Sequence, residues 1–234
     1  WTKYLKPARA CQPSPLEQVY EHLAQALGRF LPPTCLLCLD PGQPPALDLC
    51  AAPGGKTLQL AARGARVTAV DVSPARLKLV RDNLDRTGLA AETVAADVLN
   101  WRPGRPFDAV LLDAPCTATG TLRRHPDAAW HKRPADVARL AALQGHLLDA
   151  TAALLKPGGI LVYAVCSLQP EEGERQIEAL LERGAPFDPV AVEPGEMPTL
   201  DHAIDARGCV RTLPCHWAER GGLDGFFIAR LRRR

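Results

Sequence analysis

The sequence alternates short apolar runs with longer segments in which apolar residues recur at helical spacing. Two of the longer segments, residues 74–87 and 134–155, predict helices. The first of these follows Ser73, a favoured N-cap residue, and ends at Gly88, which suits a left-handed C-cap. The apolar runs predict five buried strands, at residues 46–50, 67–71, 93–97, 109–113 and 160–166.

Strands separated by helices indicate right-handed crossovers, and hence a mostly parallel sheet with helices on both faces. Two further apolar runs, residues 209–213 and 226–231, are separated by a glycine-rich connection. We predict that these two runs form an antiparallel edge of the same sheet. The pattern as a whole is typical of an α/β fold.

The first 45 residues have a different pattern. Apolar residues from Leu16 to Phe30 recur at helical spacing, after a capping box that starts at Ser14. A proline-rich loop follows this helix. We predict that residues 1–45 form an N-terminal helix and linker, and that residues 46–234 form one α/β domain. Because the chain starts at Trp1, we expect it to be part of a longer protein.

Composition limits the classes of protein that remain. Hydrophobic residues make up 47% of the chain, but none of their runs approaches the roughly 20 residues that a membrane-spanning helix needs. No charged segment followed by an apolar one opens the chain, so the sequence predicts no secretory signal. We therefore expect a cytoplasmic protein that acts as a monomer and does not contact a membrane.

The chain contains eight cysteines, which in such a protein favour reduced thiols over a disulfide scaffold. Cys35 and Cys38 have the spacing of half a zinc site. The residues that would have to complete it are Cys209, Cys215 or His216. Because no second pair has this spacing, we predict no metal site.

The formal net charge is only +2, but the basic residues are unevenly distributed. One cluster lies between the fourth and fifth predicted strands, and arginines crowd the end of the chain at residues 230–234. Such clusters fit contact with phosphates, and they are equally typical of a solvated loop and a frayed tail. The sequence leaves both interpretations open. The first cluster consists of Arg123, Arg124, His125, His131, Lys132 and Arg133.

Ligands of an open parallel sheet gather beyond the carboxyl ends of the strands. Polar or reactive residues end four of the predicted strands, namely Asp71, Asp97, Asp113 and Cys166. We therefore expect the functional site at this end of the sheet.

The turn after the first strand contains Gly54 and Gly55, and glycine lets a backbone approach a ligand closely. Residues 55–57 resemble the end of a phosphate-binding loop, but the first glycine of that motif would have to stand at Cys50. The turn is followed at the next strand end by Asp71, which suits the hydroxyls of a ribose or the cap of the next helix. This combination fits S-adenosylmethionine as well as any nucleotide.

Two cysteines stand near the carboxyl ends of separate strands. Cys116 follows Asp113 and a proline, and Cys166 closes the fifth apolar run. Structural thiols are more common than catalytic ones, but a cation such as Lys56 lowers a thiol's pKa and favours the nucleophilic thiolate. Position alone favours Cys116 as the nucleophile.

Residues 48–57, 113–130 and 155–174 resemble successive motifs of the Sun/Nop family of RNA cytosine-5 methyltransferases. Within that family the similarity is greatest to bacterial members that act on small-subunit ribosomal RNA, and it covers residues 46–231. The resemblance implies a Rossmann-like class I methyltransferase fold with a mostly parallel, seven-stranded sheet. It also implies S-adenosyl-L-methionine as cofactor and RNA, in particular ribosomal RNA, as partner.

The same resemblance implies a mechanism. Carbon 5 of cytosine is a poor nucleophile, so a thiolate adds to carbon 6 and makes carbon 5 electron-rich enough to accept a methyl group. The attacking thiol is Cys166, and Cys116 helps to remove the proton from carbon 5. Asp113 bonds the cytosine ring, with Lys56 nearby. The residues implied around the cofactor are Cys50, Ala51, Ala52, Pro53, Gly54, Gly55, Lys56, Asp71, Asp97 and Asp113.

One position departs from the family pattern, because Val165 precedes the expected nucleophile where threonine is usual.

Two other functions compete with this interpretation. In a DNA cytosine-5 methyltransferase the cysteine after the proline would attack, but the Glu-Asn-Val motif of those enzymes is absent from the sequence. A non-catalytic RNA-binding or ribosome-assembly module would not require Lys56, Asp113 and both cysteines.

Overall fold

The computed structural model describes residues 45–197 and 200–234, whose strands form one mixed sheet of eight strands. Their order is β3-β2-β1-β4-β5-β8-β6, and β7 pairs with β8 outside this path. The strands are β1 (Pro45–Leu49), β2 (Arg66–Asp71), β3 (Glu92–Ala95), β4 (Phe107–Asp113), β5 (Leu155–Val165), β6 (Phe187–Pro189), β7 (Val210–Arg211) and β8 (Phe227–Arg233).

The first five strands are parallel, and the strand order reverses where β1 lies between β2 and β4. Leu49, the last residue of β1, pairs with Val70 on one side and with Leu112 on the other. The turn after β1 therefore leaves the sheet beside the carboxyl ends of both β2 and β4. This reversal is where open α/β sheets bind their ligands.

Five helices accompany the strands of the described chain. They are α1 (Gly55–Ala62), α2 (Pro74–Thr87), α3 (Ala128–His131), α4 (Pro134–Leu154) and α5 (Glu174–Glu182). Three short 3-10 helices also occur, at Thr119–Thr121, Asp201–Ala203 and Ala218–Arg220.

Helices cover both faces of the sheet, as the alternation of elements predicts. Successive residues of β4 point to opposite faces, so Val110 packs with the layer formed by α4 and α5, whereas Leu111 packs with Leu60 of α1. Helix α2 packs through Leu77 and its neighbours against Ala69 of β2. The sheet is thus buried between two apolar layers, and the mostly parallel α/β architecture agrees with the prediction.

The predicted antiparallel pairing near the end of the chain is confirmed, because β7 pairs with β8 beyond the parallel strands, and β6 adds a further strand to this antiparallel edge. Strand β8 pairs with β5 on one side and with β6 on the other. Strand β6 is absent from the predicted strands, because it has only three residues and ends in Pro189. Such a segment carries too few apolar positions for a period-2 pattern.

The boundary between α4 and β5 also differs from the prediction. The helix ends at Leu154, and the strand begins at Leu155 rather than at residue 160. Leu155 pairs with Phe107, and the register shifts before Ala109 pairs with Ile160. Residues 156–159 therefore form an irregularity within the strand.

The predicted helix of residues 16–30 lies outside the described residues, so the proposed domain boundary stays a prediction. No helix in the described parts of the chain is both long enough and apolar enough to span a membrane.

Candidate active site

The turn after β1 contains Gly54 and Gly55, which differ in the space around them. Cys50 and Gly54 have positive φ angles of 59° and 104°. A Cβ on Gly54 would lie 3.1 Å from Cγ1 of Val80 in α2, so this glycine permits close packing of α2 against the turn. A Cβ on Gly55 would meet no atom within 4 Å. The backbone of Gly55 therefore borders open space at the start of α1.

Asp71 ties the end of β2 to this turn. Its carboxylate accepts hydrogen bonds from the backbone N–H of Ala52 at 3.2 Å and of Ser73 at 3.0 Å. Ser73, not Asp71, caps α2, because the Ser73 side chain accepts a bond from the N–H of Arg76. The Asp71 side chain is 1% exposed and lies 3.3 Å from the guanidinium of Arg76, whose side chain is 55% exposed. The carboxylate of Asp71 is therefore buried beside the more exposed Arg76.

Asp97 follows β3 and stays accessible. Its residue is exposed, and its carboxylate accepts bonds from the N–H of Leu99 at 3.0 Å and from the amide of Asn100 at 2.8 Å. The carboxylate thus orders the loop after β3.

Lys56 and Asp113 form an ion pair across the point where the strand order reverses. Nζ of Lys56 donates to Oδ2 of Asp113 at 2.6 Å, and the two side chains are 11% and 31% exposed. Nζ also lies 5.9 Å from the ring centroid of Phe226. The partly exposed carboxylate at the end of β4 is therefore held in place by a largely buried cation.

The two cysteines meet beside this ion pair. Sγ of Cys116, in the loop after β4, lies 3.4 Å from Sγ of Cys166, which directly follows β5. Gly120 donates its N–H to the carbonyl of Cys166 at 3.1 Å and joins the two loops. A Cβ on Gly120 would collide with the backbone of Gly225, so only glycine fits this crossing.

The hydrogen bond between the two thiols shifts their pKa values in opposite directions. The bond from Cys116 lowers the pKa of Cys166, whose sulfur is also stabilised as thiolate by the charge of Lys56. The same bond, followed by burial, raises the pKa of Cys116. Burial raises the pKa of Cys50 to about 12. Of these three thiols at the strand ends, Cys166 is therefore the one that ionises most readily.

The predicted basic cluster divides into two groups. Arg123 and Arg124 point at Asp224, a residue that is only 3% exposed, with ion-pair distances of 3.6 Å and 2.5 Å. Lys132 and Arg133 are exposed. Arg124 thus holds part of the fold together, whereas the second group faces outward, as do His125 and His131.

A pocket of about 580 Å³ connects the outward-facing group with the cysteine loops. Thr117 and Thr119 line it on one side, and Lys132 and Arg133 line it on the other. Next to it, Trp130 is 88% exposed. A second pocket of about 860 Å³ lies at the amino ends of β1 and β2, and none of the predicted site residues lines it.

Three of the four arginines at the end of the chain, Arg230, Arg232 and Arg233, belong to β8. Neither a frayed tail nor a phosphate site therefore describes Arg230. Arg230 is 9% exposed and donates to the carboxylate of Glu196 at 3.0 Å and 3.1 Å. Among the described residues, no group of three or more His, Cys, Asp or Glu side chains could hold a metal ion. Cys35 and Cys38 lie outside the described residues, and the zinc alternative stays untested.

The family model described as 16S rRNA methyltransferase RsmB/F matches residues 35–232 of the chain. The chain belongs to this family. The match includes both cysteine loops, the turn after β1 and every predicted cofactor residue.

Relatives of the RsmB/F family support this assignment. The chain is 46% identical over 204 residues to ribosomal RNA small subunit methyltransferase B of Pseudomonas syringae pv. tomato, covering 84% of the chain but only 44% of that relative. NSun6 from Pyrococcus horikoshii, solved with SFG, superimposes with a TM-score of 0.69 at 28% identity, over 90% of this chain and 51% of NSun6. The chain thus spans less than half of the bacterial relative.

A more distant structure shows the fold alone. The N-methyltransferase NodS from Bradyrhizobium japonicum, in complex with S-adenosyl-L-homocysteine, superimposes with a TM-score of 0.55 at 16% identity, over 97% of this chain and 91% of NodS. Membership of the RsmB/F family makes S-adenosyl-L-methionine the cofactor of this chain, as predicted.

Two buried acids at this RsmB/F site were not predicted. Asp48 in β1 is 0% exposed and accepts a 2.5 Å bond from the hydroxyl of Thr57. Burial raises the pKa of Asp48 to about 7. Glu172 is also 0% exposed. The position of Asp48 inside the apolar run of β1 is a sequence signal for a buried acid. The acidic segment around Glu172 offers no such signal, because nothing in it distinguishes a buried carboxylate from an exposed one.

Proposed function

We propose that this chain transfers a methyl group from S-adenosyl-L-methionine to carbon 5 of a cytosine in small-subunit ribosomal RNA. The observation that carries the proposal is the pair of sulfur atoms 3.4 Å apart, beside the Lys56–Asp113 ion pair. A site with two thiols of different acidity suits a reaction that needs a nucleophile in one step and a second group for release. The protein acts as a monomer in this proposal.

Cys166 is the nucleophile. Its pKa is lowered, which increases the thiolate fraction at a given pH, whereas the pKa of Cys116 is raised. The thiolate adds to carbon 6 of the cytosine, and the electron pair of the carbon 5–carbon 6 double bond becomes available at carbon 5. The position after Pro115 favoured Cys116 in the sequence, but the hydrogen bond between the thiols favours Cys166.

Asp113 holds the base. Its side chain is 31% exposed, so one oxygen can accept a bond from the exocyclic amine of cytosine while Lys56 stays bonded to the other. Lys56 holds the carboxylate in place beside the cysteines. The two residues bind and orient the ring, and neither forms a covalent bond.

Cys116 serves the release step. The largest cause of its raised pKa is the bond to Cys166, and this cause disappears once the Cys166 sulfur is bonded to carbon 6. Cys116 then ionises more readily and helps to remove the proton from carbon 5. The electrons of that carbon–hydrogen bond restore the double bond, and the carbon–sulfur pair returns to Cys166.

The cofactor lies over the turn after β1. The open space beside Gly55 and the exposed carboxylate of Asp97 fit a ligand that crosses the reversal of strand order. When bound, S-adenosyl-L-methionine supplies an electrophilic methyl group. We assign its binding to the backbone of residues 50–56 and to Asp71, Asp97 and Asp113, with Arg76 moving away from Asp71.

RNA approaches over the pocket beside the cysteine loops. Lys132 and Arg133 line this pocket and suit phosphates, and the exposed Trp130 suits a stacked base. The target cytosine must be unstacked to reach the sulfurs. His125 contributes to the same outward surface. Of the residues predicted to bind RNA, Arg123 and Arg124 contribute less, because they bond Asp224.

Adduct trapping tests the proposal. RNA and cofactor are incubated with the wild type and with the Cys116→Ala and Cys166→Ala variants, and covalent complexes are separated under denaturing conditions. We expect wild-type protein to form 5-methylcytosine, Cys116→Ala to accumulate a covalent RNA complex, and Cys166→Ala to form none.

Each other outcome overturns part of this assignment. Accumulation by Cys166→Ala instead would exchange the two roles, which is the arrangement of DNA cytosine-5 methyltransferases. A folded wild-type protein that binds cofactor and RNA but forms neither adduct nor product would indicate a non-catalytic RNA-binding module.

A further inference from the structure

Glu172 is a buried carboxylate that the proposed mechanism does not use. It lies between β5 and α5 and is 0% exposed. Its Oε2 accepts bonds from the hydroxyls of Thr117 and Ser167, each at 2.5 Å. Its Oε1 accepts bonds from the backbone N–H of Thr117 at 2.9 Å and from the amide of Gln144 at 3.3 Å. These donors offset the cost of burying the carboxylate.

The two hydroxyl donors belong to the residues that directly follow the two cysteines. Thr117 follows Cys116, and Ser167 follows Cys166. Their hydroxyl oxygens lie 3.3 Å apart, almost the same separation as the 3.4 Å between the two sulfurs. One carboxylate therefore joins the loop after β4 to the loop after β5 at the position next to each sulfur.

The carboxylate is itself fixed by two further elements. Gln144 of α4 donates both to Glu172 and to the carbonyl of Pro115, the latter at 2.9 Å. The hydroxyl of Tyr163 in β5 donates to the backbone carbonyl of Glu172 at 2.5 Å. Because Gln144 and Tyr163 are both 0% exposed, Glu172 cannot shift without moving α4 and β5.

We propose that Glu172 is a positioning residue that sets the separation of the Cys116 and Cys166 sulfur atoms for the release step. The inference rests on the proposed function, since that function assigns the two sulfurs to attack and release. A displacement of about 1 Å at a reacting group costs on the order of 100-fold in rate. Loosening either loop therefore slows release more than it weakens RNA binding.

The first experiment uses Glu172→Gln, which preserves size but replaces one acceptor oxygen with an NH₂ group. Glu182→Gln, at an exposed residue of α5, is the control. We expect kcat for RNA methylation to fall about ten-fold or more in Glu172→Gln, with kcat/KM for RNA within about two-fold of wild type. Because release is slowed, the covalent RNA complex persists longer. Glu182→Gln should match wild type in both constants.

A second measurement needs no RNA. Oxidised glutathione is added to the folded protein: one thiolate opens its disulfide and releases one glutathione, and the second cysteine displaces the other glutathione. This closes a disulfide between Cys116 and Cys166, and mass spectrometry of the linked peptides measures its rate of formation. We expect closure in Glu172→Gln to slow about ten-fold relative to Glu182→Gln, because the effective concentration of one thiol at the other falls.

Substitutions of Thr117 provide an independent test if Glu172→Gln fails to fold. Thr117→Val removes the hydroxyl and keeps the shape, and Thr117→Ser keeps the hydroxyl. We expect Thr117→Val to slow both release and disulfide closure, and Thr117→Ser to restore both rates.

Three results would overturn the proposal: unchanged kcat and closure rate in folded Glu172→Gln, a wild-type closure rate in Thr117→Val, or a rise in KM with kcat preserved. A wild-type protein that forms no RNA adduct would count against the proposed function instead, and the closure rates would still decide the role of Glu172 in placing the sulfurs.

Discussion

Sγ of Cys116 lies 3.4 Å from Sγ of Cys166, although 50 positions separate the two residues in the chain. The parallel pairing of β4 with β5 brings them together, because it sets Asp113 opposite Ala164. Both loops then leave the sheet at the same edge. The acidity of each thiol depends on the other, which makes the pair the most informative target for mutation.

Cys116→Ala is expected to raise the pKa of Cys166, because the hydrogen bond from Cys116 is the largest cause of its lowering. The rate of iodoacetamide alkylation at Cys166, followed against pH by peptide mass spectrometry, should therefore reach half its maximum at higher pH in the variant. Cys215→Ala is the control, since Cys215 is exposed and lies outside the site. An unchanged midpoint in Cys116→Ala would contradict the assigned hydrogen bond.

Lys56→Met is expected to abolish methylation and to lower the free energy of unfolding by about 1–3 kcal/mol, because it leaves the carboxylate of Asp113 without this cation. Lys78→Met is the matched control. Lys78 also pairs with an aspartate, but its side chain is 73% exposed, so its loss should cost less than about 0.5 kcal/mol. Urea titration compares the two variants, and equal losses of stability would argue against a buried ion pair.

Gly54→Ala is expected to lower the free energy of unfolding by about 1–3 kcal/mol, because its φ is 104° and the new Cβ would lie 3.1 Å from Val80. Gly55→Ala should be neutral or slightly stabilising, since its Cβ enters open space at the start of α1. Thermal unfolding of the two variants distinguishes these positions. A larger loss of thermal stability in Gly55→Ala than in Gly54→Ala would contradict the described conformation of the turn.

Stability is expected to depend on pH through Asp48, because burial raises its pKa from 3.8 to about 7. Between those values the folded protein holds a proton that the unfolded chain releases, so this residue's contribution falls as pH rises, by about 1.4 kcal/mol per pH unit. Asp48→Asn has no titratable group at this position, so its free energy of unfolding does not fall with pH for this reason.

The free energy of unfolding of Asp48→Asn minus that of wild type should therefore increase from about pH 4 to about pH 7 and then level off. Urea titrations at several pH values measure this difference. Asp82→Asn, whose carboxylate is 56% exposed, serves as the control and should show no such rise. A constant difference for Asp48→Asn would exclude a raised pKa.

Arg124→Ala and Arg133→Ala are expected to have different effects although both residues belong to the basic cluster. Arg124 bonds the buried Asp224, so its removal should cost about 3 kcal/mol of unfolding free energy. Arg133 is exposed, so its removal should leave stability unchanged within about 0.5 kcal/mol and weaken RNA binding. RNA titrations over a range of salt concentrations should show a salt slope smaller by about 1 for Arg133→Ala. An RNA affinity equal to wild type would remove Arg133 from the proposed surface.

The sequence by itself determined the alternation of strands and helices, the α/β class and the positions of the reactive residues. Apolar periodicity reports which face of an element is buried, and this is a local property. The spacing of Asp113, Cys116 and Cys166 relative to the strand ends followed from the same pattern. The motifs then indicated the family and the division of labour between the two thiols.

Only the tertiary structure decided which of these groups interact. The 2.5 Å bond of Glu172 to Thr117, the burial of Asp224 beneath Arg124 and the insertion of β8 between β5 and β6 all join residues distant in the chain. Such contacts depend on strand register and packing, which minimise the free energy of the whole sheet rather than of any one segment. Local sequence does not encode these contacts. A glutamate that becomes buried between two loops has the same side chain as an exposed one, and only the packing of the loops distinguishes them.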